Sequence, residues 1–319
     1  MKSILLVGCG KIGIRHLQAI CKISPFPRIT VVEPNLKTQK KSKEFLLKDY
    51  KKNNIQKISW VSNIEKIHEK FNLVIISTHS TNRIKIVKYL LKKGNNRFVL
   101  EKIVCQSKKQ YLTLLSELQN YSAKAWINTP YRYFPIYQKL KNYFKQKPLH
   151  ISVTSNSKGL ASNSIHFLDL FSWYLNNYDI HIFEDFLSNK LLKNKRGKNL
   201  VEFEGTLIAK NSDSVLSISF LPSSNMHVFT QITNPSNSIL IDETDQKIIN
   251  SNLKTQKLKF EYLHVSQTTK EIVNDILNND SCFLPSAEKH YLIHCELFRV
   301  FNNHIQKLTN KKLSICPIT

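Results

Sequence analysis

Residues 3–13 of the chain read SILLVGCGKIG. A short run rich in β-branched residues and leucine comes first, glycines at the spacing Gly-x-Gly-x-x-Gly follow, and a helical pattern of apolar residues continues through Ile20. A strand, a glycine turn and a helix in this order predict the phosphate-binding turn of a dinucleotide-binding domain. In such a turn Gly8 permits the tight bend, Gly10 lets the backbone approach a pyrophosphate, and Gly13 lets the helix pack on the strand.

An acidic residue follows this turn at the separation expected of a ribose ligand. Glu33 stands about 20 positions after the last glycine, at the end of a second predicted strand, Ile29 to Val32. Its carboxylate would accept hydrogen bonds from the adenosine ribose hydroxyls and repel a 2′-phosphate, so we expect NAD(H) to be favoured over NADP(H). Lys11 and Ile12 complete the turn and are further candidate cofactor residues. The alternative is that the glycines only shape a turn and that Glu33 is a surface carboxylate.

Strands alternate with helices over the first part of the chain. Short apolar runs at Ile58 to Val61, Leu73 to Ser77 and Phe98 to Leu100 are separated by helical patterns such as Ile84 to Lys93. Strands that alternate with helices predict a parallel sheet with right-handed crossovers.

From about residue 150 the pattern changes to strands with few helices between them. The predicted strands are His150 to Asn156, Ile180 to Leu187, Val201 to Ala209, Val215 to Phe220, Val228 to Thr233 and Ser238 to Ile241. Turn residues link them, which favours a mainly antiparallel sheet with one face covered. A helix at Phe167 to Leu175 would lead into this sheet, and helices after Ser266, the last from Ser286 to Leu308, would follow it.

The expected fold class is therefore α/β, with two domains. Residues 1–125 would form an N-terminal doubly wound Rossmann domain that binds the dinucleotide. Residues 126–319 would form a C-terminal α+β domain, built on a mainly antiparallel sheet, for substrate binding and oligomerisation. A length of 319 residues is consistent with this division.

Composition excludes several classes of protein. With 41% hydrophobic and 22% charged residues the chain is typical of globular proteins. No segment approaches the roughly 18 uninterrupted apolar residues of a membrane span, so we expect a cytoplasmic protein. The six cysteines are scattered without a Cys-x-x-Cys pair, and His290 and His294 share a helix face without a visible third ligand. We therefore expect neither a disulfide framework nor a metal site.

The one extreme of the composition is its net charge of +24. A polyanionic partner and a surface rich in solvated lysine would both produce it. The basic clusters are not interleaved with the aromatic residues that stack on bases, so nucleic acid is an unlikely partner and a solvated surface is the favoured interpretation.

Four passages resemble the Gfo/Idh/MocA family of sugar oxidoreductases, in matching order and spacing. They are Gly8 to His16, Phe98 to Lys102, Asn128 to Pro135 and Ser164 to Asp169. The second is similar to the family's strand ending in Glu-Lys-Pro, and the fourth to its His-x-x-Asp. The resemblance covers nearly the whole chain.

The resemblance implies roles for particular residues. Lys102 would lie beside the nicotinamide and serve as the acid/base, and His166 would assist near the substrate. Hydride transfer from an alcohol needs a group that takes the hydroxyl proton, and a partly desolvated lysine with its pKa lowered toward neutrality suits this task. A surface lysine and an ordinary histidine at a helix start remain the alternatives.

Other polar residues would contact the cofactor or the substrate. Glu101, Ser77 and Thr78 are candidate cofactor residues, since they follow strands at the carboxyl edge of the predicted sheet. The candidate substrate-binding residues are Tyr131, Arg132 and Asp169. The guanidinium of Arg132 suits a substrate phosphate, carboxylate or hydroxyl pair. A structural salt bridge for Arg132 and a helix-dipole role for Asp169 remain open.

Two positions depart from the family pattern. The proline after the lysine is Ile103 here, so the bend at that point is either absent or made through a non-proline cis bond. The family often has an aspartate four residues before the histidine, where this chain has Ser162. This removes one carboxylate from the expected proton relay, so the departures at Ile103 and Ser162 bear directly on catalysis.

Taken with the glycine turn, the resemblance implies an NAD(H)-dependent oxidoreductase. It would transfer a hydride to or from a hydroxyl or keto carbon of a sugar or nucleotide sugar, in a cleft between two domains of a homodimer or homotetramer. The segment Gly159 to His166 is similar to the corresponding segment of Gfo/Idh/MocA members that are associated with bacterial surface-polysaccharide sugars. Two alternatives stay open: a non-catalytic nucleotide- or polyanion-binding protein that retains the Rossmann site, and an S-adenosylmethionine methyltransferase.

Overall fold

The computed structural model describes residues 1–48, 50, 52–156, 159–194, 197, 199–221, 227–250 and 263–319. The contacts divide the chain into two compact units. Unit 1 comprises Met1–Cys105, Lys109–Pro130 and Leu263–Glu288, and unit 2 comprises Gln106–Lys108, Tyr131–Tyr262 and Lys289–Thr319.

Unit 1 contains a six-stranded parallel sheet in the order β3-β2-β1-β4-β5-β6. Its strands are β1 (Ser3–Val7), β2 (Arg28–Val32), β3 (Ser59–Val61), β4 (Leu73–Ile76), β5 (Arg97–Leu100) and β6 (Lys124–Ile127). The strand order reverses between β1 and β4, and ligands of doubly wound sheets bind at the carboxyl ends of the strands beside this reversal. All residues of β1 and β4 are buried, because helices cover both faces of a sheet of this kind. The expected Rossmann sheet is thus confirmed.

Five helices connect these strands. They are α1 (Gly13–Ile20), α2 (Leu36–Leu47), α3 (Lys52–Gln56), α4 (Arg83–Lys92) and α5 (Lys108–Asn120). The first begins at the third glycine of the turn, as expected, and α4 begins just after the polar loop that follows β4.

Unit 2 contains a seven-stranded sheet in the order β15-β14-β13-β7-β12-β11-β8. Its strands are β7 (His150–Asn156), β8 (His181–Leu187), β11 (Gly205–Asn211), β12 (Ser214–Leu221), β13 (Phe229–Thr233), β14 (Ser238–Asp242) and β15 (Lys247–Asn250); β9 (Leu192–Lys193) and β10 (Val201–Glu202) pair separately. All neighbours are antiparallel except β7 and β12, which are parallel. Buried and more exposed residues alternate along β12, so one face of the sheet is covered, as expected.

Two helices flank β7 along the chain. Helix α6 (Pro135–Tyr143) follows the 3₁₀ turn Pro130–Tyr133, and α7 (Leu160–Leu175) packs on β12 and β11. The expected helix at Phe167 to Leu175 therefore begins seven residues too late. Its N-cap residue, Gly159, has no side chain to satisfy the first N–H groups of α7.

The carboxylate of Glu202 supplies that cap. The expected strand at Val201 to Ala209 is interrupted just after this residue. The carboxylate oxygens accept hydrogen bonds from the backbone N–H of Ser162 at 3.2 Å and from the Ser162 hydroxyl at 2.5 Å. The chain then bends, and Gly205 has a left-handed φ of 106°. The expected single strand is consequently two, β10 and β11.

Two helices end the chain. Helix α8 (Val265–Asn279) packs on α1 within unit 1, and most of α9 (Ala287–Thr309) belongs to unit 2. Within the ranges described above, no helix is both long enough and apolar enough to cross a membrane.

Candidate active site

The three glycines of the first turn differ in why the position lacks a side chain. Gly8 has a left-handed φ of 88°, and a Cβ on Gly13 would lie 2.1 Å from the Gly8 carbonyl oxygen. Both residues must therefore be glycine for the turn to exist. A Cβ on Gly10 would meet no atom within 4 Å, so its missing side chain leaves an open space that the apo fold does not require. This is the cradle expected where a backbone must approach a ligand closely.

Glu33 is fixed to the same turn. Its Oε2 accepts a hydrogen bond from the Cys9 N–H at 2.8 Å, and its Oε1 accepts one from the Asn35 N–H at 3.0 Å. The residue is 8% exposed. The carboxylate therefore cannot move without breaking two hydrogen bonds to the backbone.

A cavity of about 530 Å³ opens over this turn within unit 1. Its lining includes Gly8, Gly10, Glu33, Ser77 and Thr78. Five expected cofactor residues thus line one pocket, at the carboxyl ends of β1, β2 and β4. Among the residues that the structure describes, no lysine or arginine lines this cavity.

Five other expected cofactor residues lie outside the lining of this cavity, namely Lys11, Ile12, Gly13, Glu101 and Lys102. Lys11 and Ile12 sit at exposed positions of the glycine turn. Neither of these two residues forms part of the cavity wall.

Lys102 is buried directly after β5, beside a buried carboxylate. Nε2 of His16 lies 3.0 Å from Oε1 of Glu101, and the Asn128 amide donates to the same oxygen at 2.5 Å. Nδ1 of His16 lies 2.8 Å from Oγ1 of Thr269 in α8. Burial alone would raise the pKa of Glu101, but His16, then the charge of Lys102 and the Asn128 bond, lower it to about 2.

A buried arginine holds the backbone on both sides of Lys102. Arg83, 1% exposed at the start of α4, donates hydrogen bonds to the carbonyl oxygens of Glu101, Ile103 and Thr78. Sequence reasoning missed Arg83, because an arginine in the first turn of an amphipathic helix is normally a surface residue.

In unit 2, Arg132 and Asp169 bind each other. Arg132 Nε lies 2.8 Å from Oδ2 and Nη2 lies 2.5 Å from Oδ1, a bidentate pair in which both residues are buried. Tyr178 accepts a further bond from Arg132, and Nε2 of His290 lies 3.4 Å from Oδ1 of Asp169. Burial would raise the pKa of Asp169, but the Arg132 charge and His290 lower it to about 2. Of the two alternatives for Arg132, the geometry is that of the salt bridge.

His166 lies in the second turn of α7, partly exposed, with an aromatic ring over it. The ring of Tyr131 is stacked on the imidazole, with centroids 5.7 Å apart and an interplanar angle of 29°. The Tyr131 hydroxyl in turn donates to Oε2 of Glu243 at 3.3 Å. Glu243 was not expected from the sequence, because it lies 77 positions after His166.

Comparison with known proteins identifies the architecture. UDP-N-acetylglucosamine 3-dehydrogenase GnnA from Acidithiobacillus ferrooxidans superimposes with a TM-score of 0.71 at 14% identity, over 94% of this chain and 96% of that one. Scyllo-inositol dehydrogenase from Lactobacillus casei, solved with NAD(H) and scyllo-inositol, superimposes with a TM-score of 0.68 at 16% identity, over 96% and 97%. This chain has the fold of the Gfo/Idh/MocA-type dehydrogenases.

Two further comparisons concern the cofactor and the sequence. An oxidoreductase from Desulfitobacterium hafniense DCB-2, described as NADPH-dependent, has the same fold with a TM-score of 0.69 at 11% identity, over 97% of this chain and 96% of that one. Siroheme synthase of Buchnera aphidicola subsp. Acyrthosiphon pisum (strain APS) is 31% identical over 104 residues, which is 32% of this chain and 19% of that protein. This chain thus matches about a fifth of that relative. No protein-family model matches this chain.

Both departures from the Gfo/Idh/MocA pattern have a structural counterpart. The Lys102–Ile103 peptide bond is cis without a proline. Ser162 carries no charge, but its hydroxyl binds the Glu202 carboxylate, which also accepts a bond from Asn194 at 3.2 Å. Burial raises the pKa of Glu202, against the effect of the hydrogen bonds it accepts. A carboxylate is therefore present at this point of α7, supplied from β10.

One group of potential metal ligands occurs in the described part of the chain, at the edge of the second sheet. His227, Asp242 and Asp245 place one ligand atom each within 4.8 Å of one another. Nδ1 of His227 lies 3.0 Å from Asp242, whose other oxygen accepts the N–H groups of Thr244 and Asp245. These bonds account for the cluster as an ion pair that closes a turn.

Proposed function

We propose that the protein is an NAD(H)-dependent oxidoreductase that transfers a hydride to or from a hydroxyl or keto carbon of a sugar or nucleotide sugar. The cavity over the glycine turn carries this proposal, because it combines an open cradle at Gly10 with the fixed carboxylate of Glu33. The similar structures include a UDP-sugar dehydrogenase and a scyllo-inositol dehydrogenase with bound NAD(H).

The residues present fit a nicotinamide dinucleotide. The backbone at Gly8 and Gly10 would hold the pyrophosphate, Glu33 the adenosine ribose, and Ser77 and Thr78 the nicotinamide half. When bound, the nicotinamide would accept or donate the hydride. A 2′-phosphate would meet the Glu33 carboxylate in a cavity whose described lining contains no lysine or arginine, which supports NAD(H) over NADP(H).

Lys102 would exchange the proton of the substrate hydroxyl. Its amine would take that proton during oxidation and return it during reduction. Two sets of contacts keep the backbone at Lys102 in one position. His16 and Asn128 hold the Glu101 side chain, and Arg83 holds the carbonyl groups on both sides of Lys102. Preorganisation of this kind is what a proton-transfer group requires.

His166 would assist by hydrogen bonding to the substrate hydroxyl, with Tyr131 beside it. Arg132 and Asp169 would act on the substrate site through their salt bridge, which joins the 3₁₀ turn carrying Tyr131 to the helix carrying His166. This assigns them a positioning role in place of direct contact with the sugar.

The remaining expectations complete the proposal. Residues 1–125 would bind the cofactor, and residues 126–319 the substrate. The open face of the seven-stranded sheet would join copies into a homodimer or homotetramer. The protein would act in the cytoplasm, where NAD(H) is available, on a sugar of surface-polysaccharide biosynthesis.

Turnover can be tested by the absorbance of NADH at 340 nm with a panel of nucleotide sugars and acidic sugars. We expect a substrate-dependent change that is lost in Lys102→Met and retained in Lys109→Met, an exposed lysine that serves as the matched control. NADH binding without turnover on any sugar, together with salt-sensitive retention of RNA or DNA, would instead favour a non-catalytic polyanion-binding protein, in keeping with the net charge of +24.

A further inference from the structure

A buried carboxylate in unit 2 receives three hydroxyl groups. Glu243, 6% exposed, lies 2.6 Å from the Tyr137 hydroxyl, 3.0 Å from Oγ1 of Thr230 and 3.3 Å from the Tyr131 hydroxyl. Tyr137 and Thr230 are fully buried. A carboxylate in such a place is stable only when hydrogen bonds replace its hydration.

The proton positions in this cluster follow from its charges. Burial, and next the negative charge of Glu243, raise the pKa of Tyr137 well above its ordinary value. Its phenol therefore stays protonated and donates a hydrogen bond to the carboxylate. Tyr131 and Thr230 are hydroxyl donors of the same kind, and an ionised carboxylate only accepts.

Of the three donors, Tyr131 connects this cluster to the candidate catalytic histidine. Its ring lies 5.2 Å from Phe167 at 74° and 5.1 Å from Phe134 at 50°, and it is stacked on the His166 imidazole at 5.7 Å. Aromatic neighbours flank the ring, and the bond to Glu243 holds its hydroxyl end, so the ring cannot swing about χ1 without breaking that bond.

We propose that Glu243 is a positioning residue for His166, which it reaches through the hydroxyl and ring of Tyr131. A phenol that donates to a carboxylate gains electron density on its ring, and an electron-rich face attracts a cationic imidazolium more strongly. Glu243 thereby sets both the plane of the imidazole and the environment of its charged form. The catalytic consequence rests on the proposed function of His166, whereas the geometric claim does not.

The chain offers a matched control for this relay. Tyr131→Phe and Tyr137→Phe each delete one hydroxyl donor to Glu243, but only the Tyr131 ring is stacked on His166. The Tyr137 ring is stacked on Tyr131 with centroids 5.4 Å apart, and Tyr137→Phe keeps that ring. If Glu243 only stabilises the fold, Glu243→Gln leaves the His166 resonance in place, whatever Tyr131→Phe does through its own contact with that ring. The relay predicts that Glu243→Gln and Tyr131→Phe both move the resonance and that Tyr137→Phe does not.

The experiment compares the Cε1–H resonance of the His166 imidazole, assigned through its loss in His166→Gln, in the full-length protein and its variants. We expect the resonance to move in Tyr131→Phe and in Glu243→Gln and to stay in place in Tyr137→Phe. With an active sugar in hand, kcat should fall roughly tenfold in Tyr131→Phe while KM for NADH is unchanged, a fraction of a full acid–base contribution.

Opposite results separate the two proposals. A resonance that is unmoved in Tyr131→Phe, or that moves equally in Tyr137→Phe, overturns the relay even if the enzyme turns over. A protein without turnover on any sugar, in which the resonance nevertheless moves as expected, retains the relay and loses the proposed function. If Glu243→Gln fails to fold, Glu243→Asp, whose shorter side chain withdraws the carboxylate from the Tyr131 hydroxyl, takes its place in the comparison.

Discussion

Oε2 of Glu33 accepts a hydrogen bond from the backbone N–H of Cys9, between the first two glycines of the turn, at 2.8 Å. The carboxylate that we propose to select the cofactor is therefore joined directly to the loop that would bind the pyrophosphate. A second bond, from the Asn35 N–H, holds the other oxygen. On the proposed function, a carboxylate fixed in this way would have to break both hydrogen bonds before it could turn away from a 2′-phosphate.

Glu33→Gln should narrow the preference for NADH over NADPH by roughly tenfold, equivalent to about 1.4 kcal/mol of differential binding. The amide removes the charge that repels the 2′-phosphate, and it keeps an oxygen that can accept one of the two backbone bonds. Dissociation constants of both cofactors, measured by NADH and NADPH fluorescence, give the ratio. Glu69→Gln, an exposed carboxylate outside the cavity lining, is the control. A wild-type protein that already prefers NADPH would show that Glu33 does not contact the ribose.

Asp169→Asn should destabilise the protein by about 3 to 5 kcal/mol, because it leaves the buried Arg132 guanidinium without its partner charge. Urea unfolding monitored by circular dichroism measures the loss, with the exposed Asp185→Asn as the control. The double change Arg132→Met, Asp169→Leu should recover much of that loss, since it removes both charges together. A change of less than about 1 kcal/mol in Asp169→Asn, the range of exposed pairs, would mean that the pair is solvated.

Glu101 should make folding sensitive to acid. Its pKa falls from 4.5 to about 2 on folding, so the ionised carboxylate stabilises the native state. This contribution is complete above pH 4.5 and is lost as the pH falls toward 2. Glu101→Gln should lower stability at pH 7 and flatten its decline over that window, as measured by unfolding midpoints from pH 7 to pH 2. Glu44→Gln, on the surface, should leave the decline as steep as in the wild type.

Local patterns in the sequence were sufficient for most of the fold. The run Ser3 to Val7 forms β1 with the expected bounds, and His150 to Asn156 forms β7, because a strand's apolar period depends only on its own residues. The start of α7 could not be found in this way. Its cap comes from Glu202, 40 positions after Ser162, and no local signal marks such a partner.

The candidate site shows the same limit. Gly8, Gly10 and Glu33 were identified because the chemistry of a phosphate turn requires them at a fixed spacing. Side chains that act through distant partners were not: Arg83 holds carbonyl groups on another strand end, and Glu243 reaches His166 only through Tyr131. Contacts of this type join residues that are far apart in the chain, so they cannot be predicted from the local sequence around either residue.

The central claim is that a dinucleotide lies against the backbone at Gly10, and the three glycines allow a direct test of it. A methyl group at Gly10 meets open space in the apo fold, whereas one at Gly13 would lie 2.1 Å from the Gly8 carbonyl oxygen and should disrupt the turn. The measurement is NADH affinity, by fluorescence titration, in the wild type and in Gly10→Ala, with the melting temperature of each. We predict an unchanged melting temperature and an affinity at least tenfold weaker, about 1.4 kcal/mol or more. Equal NADH affinity in the two proteins, or no NADH binding by the wild type, would contradict the account.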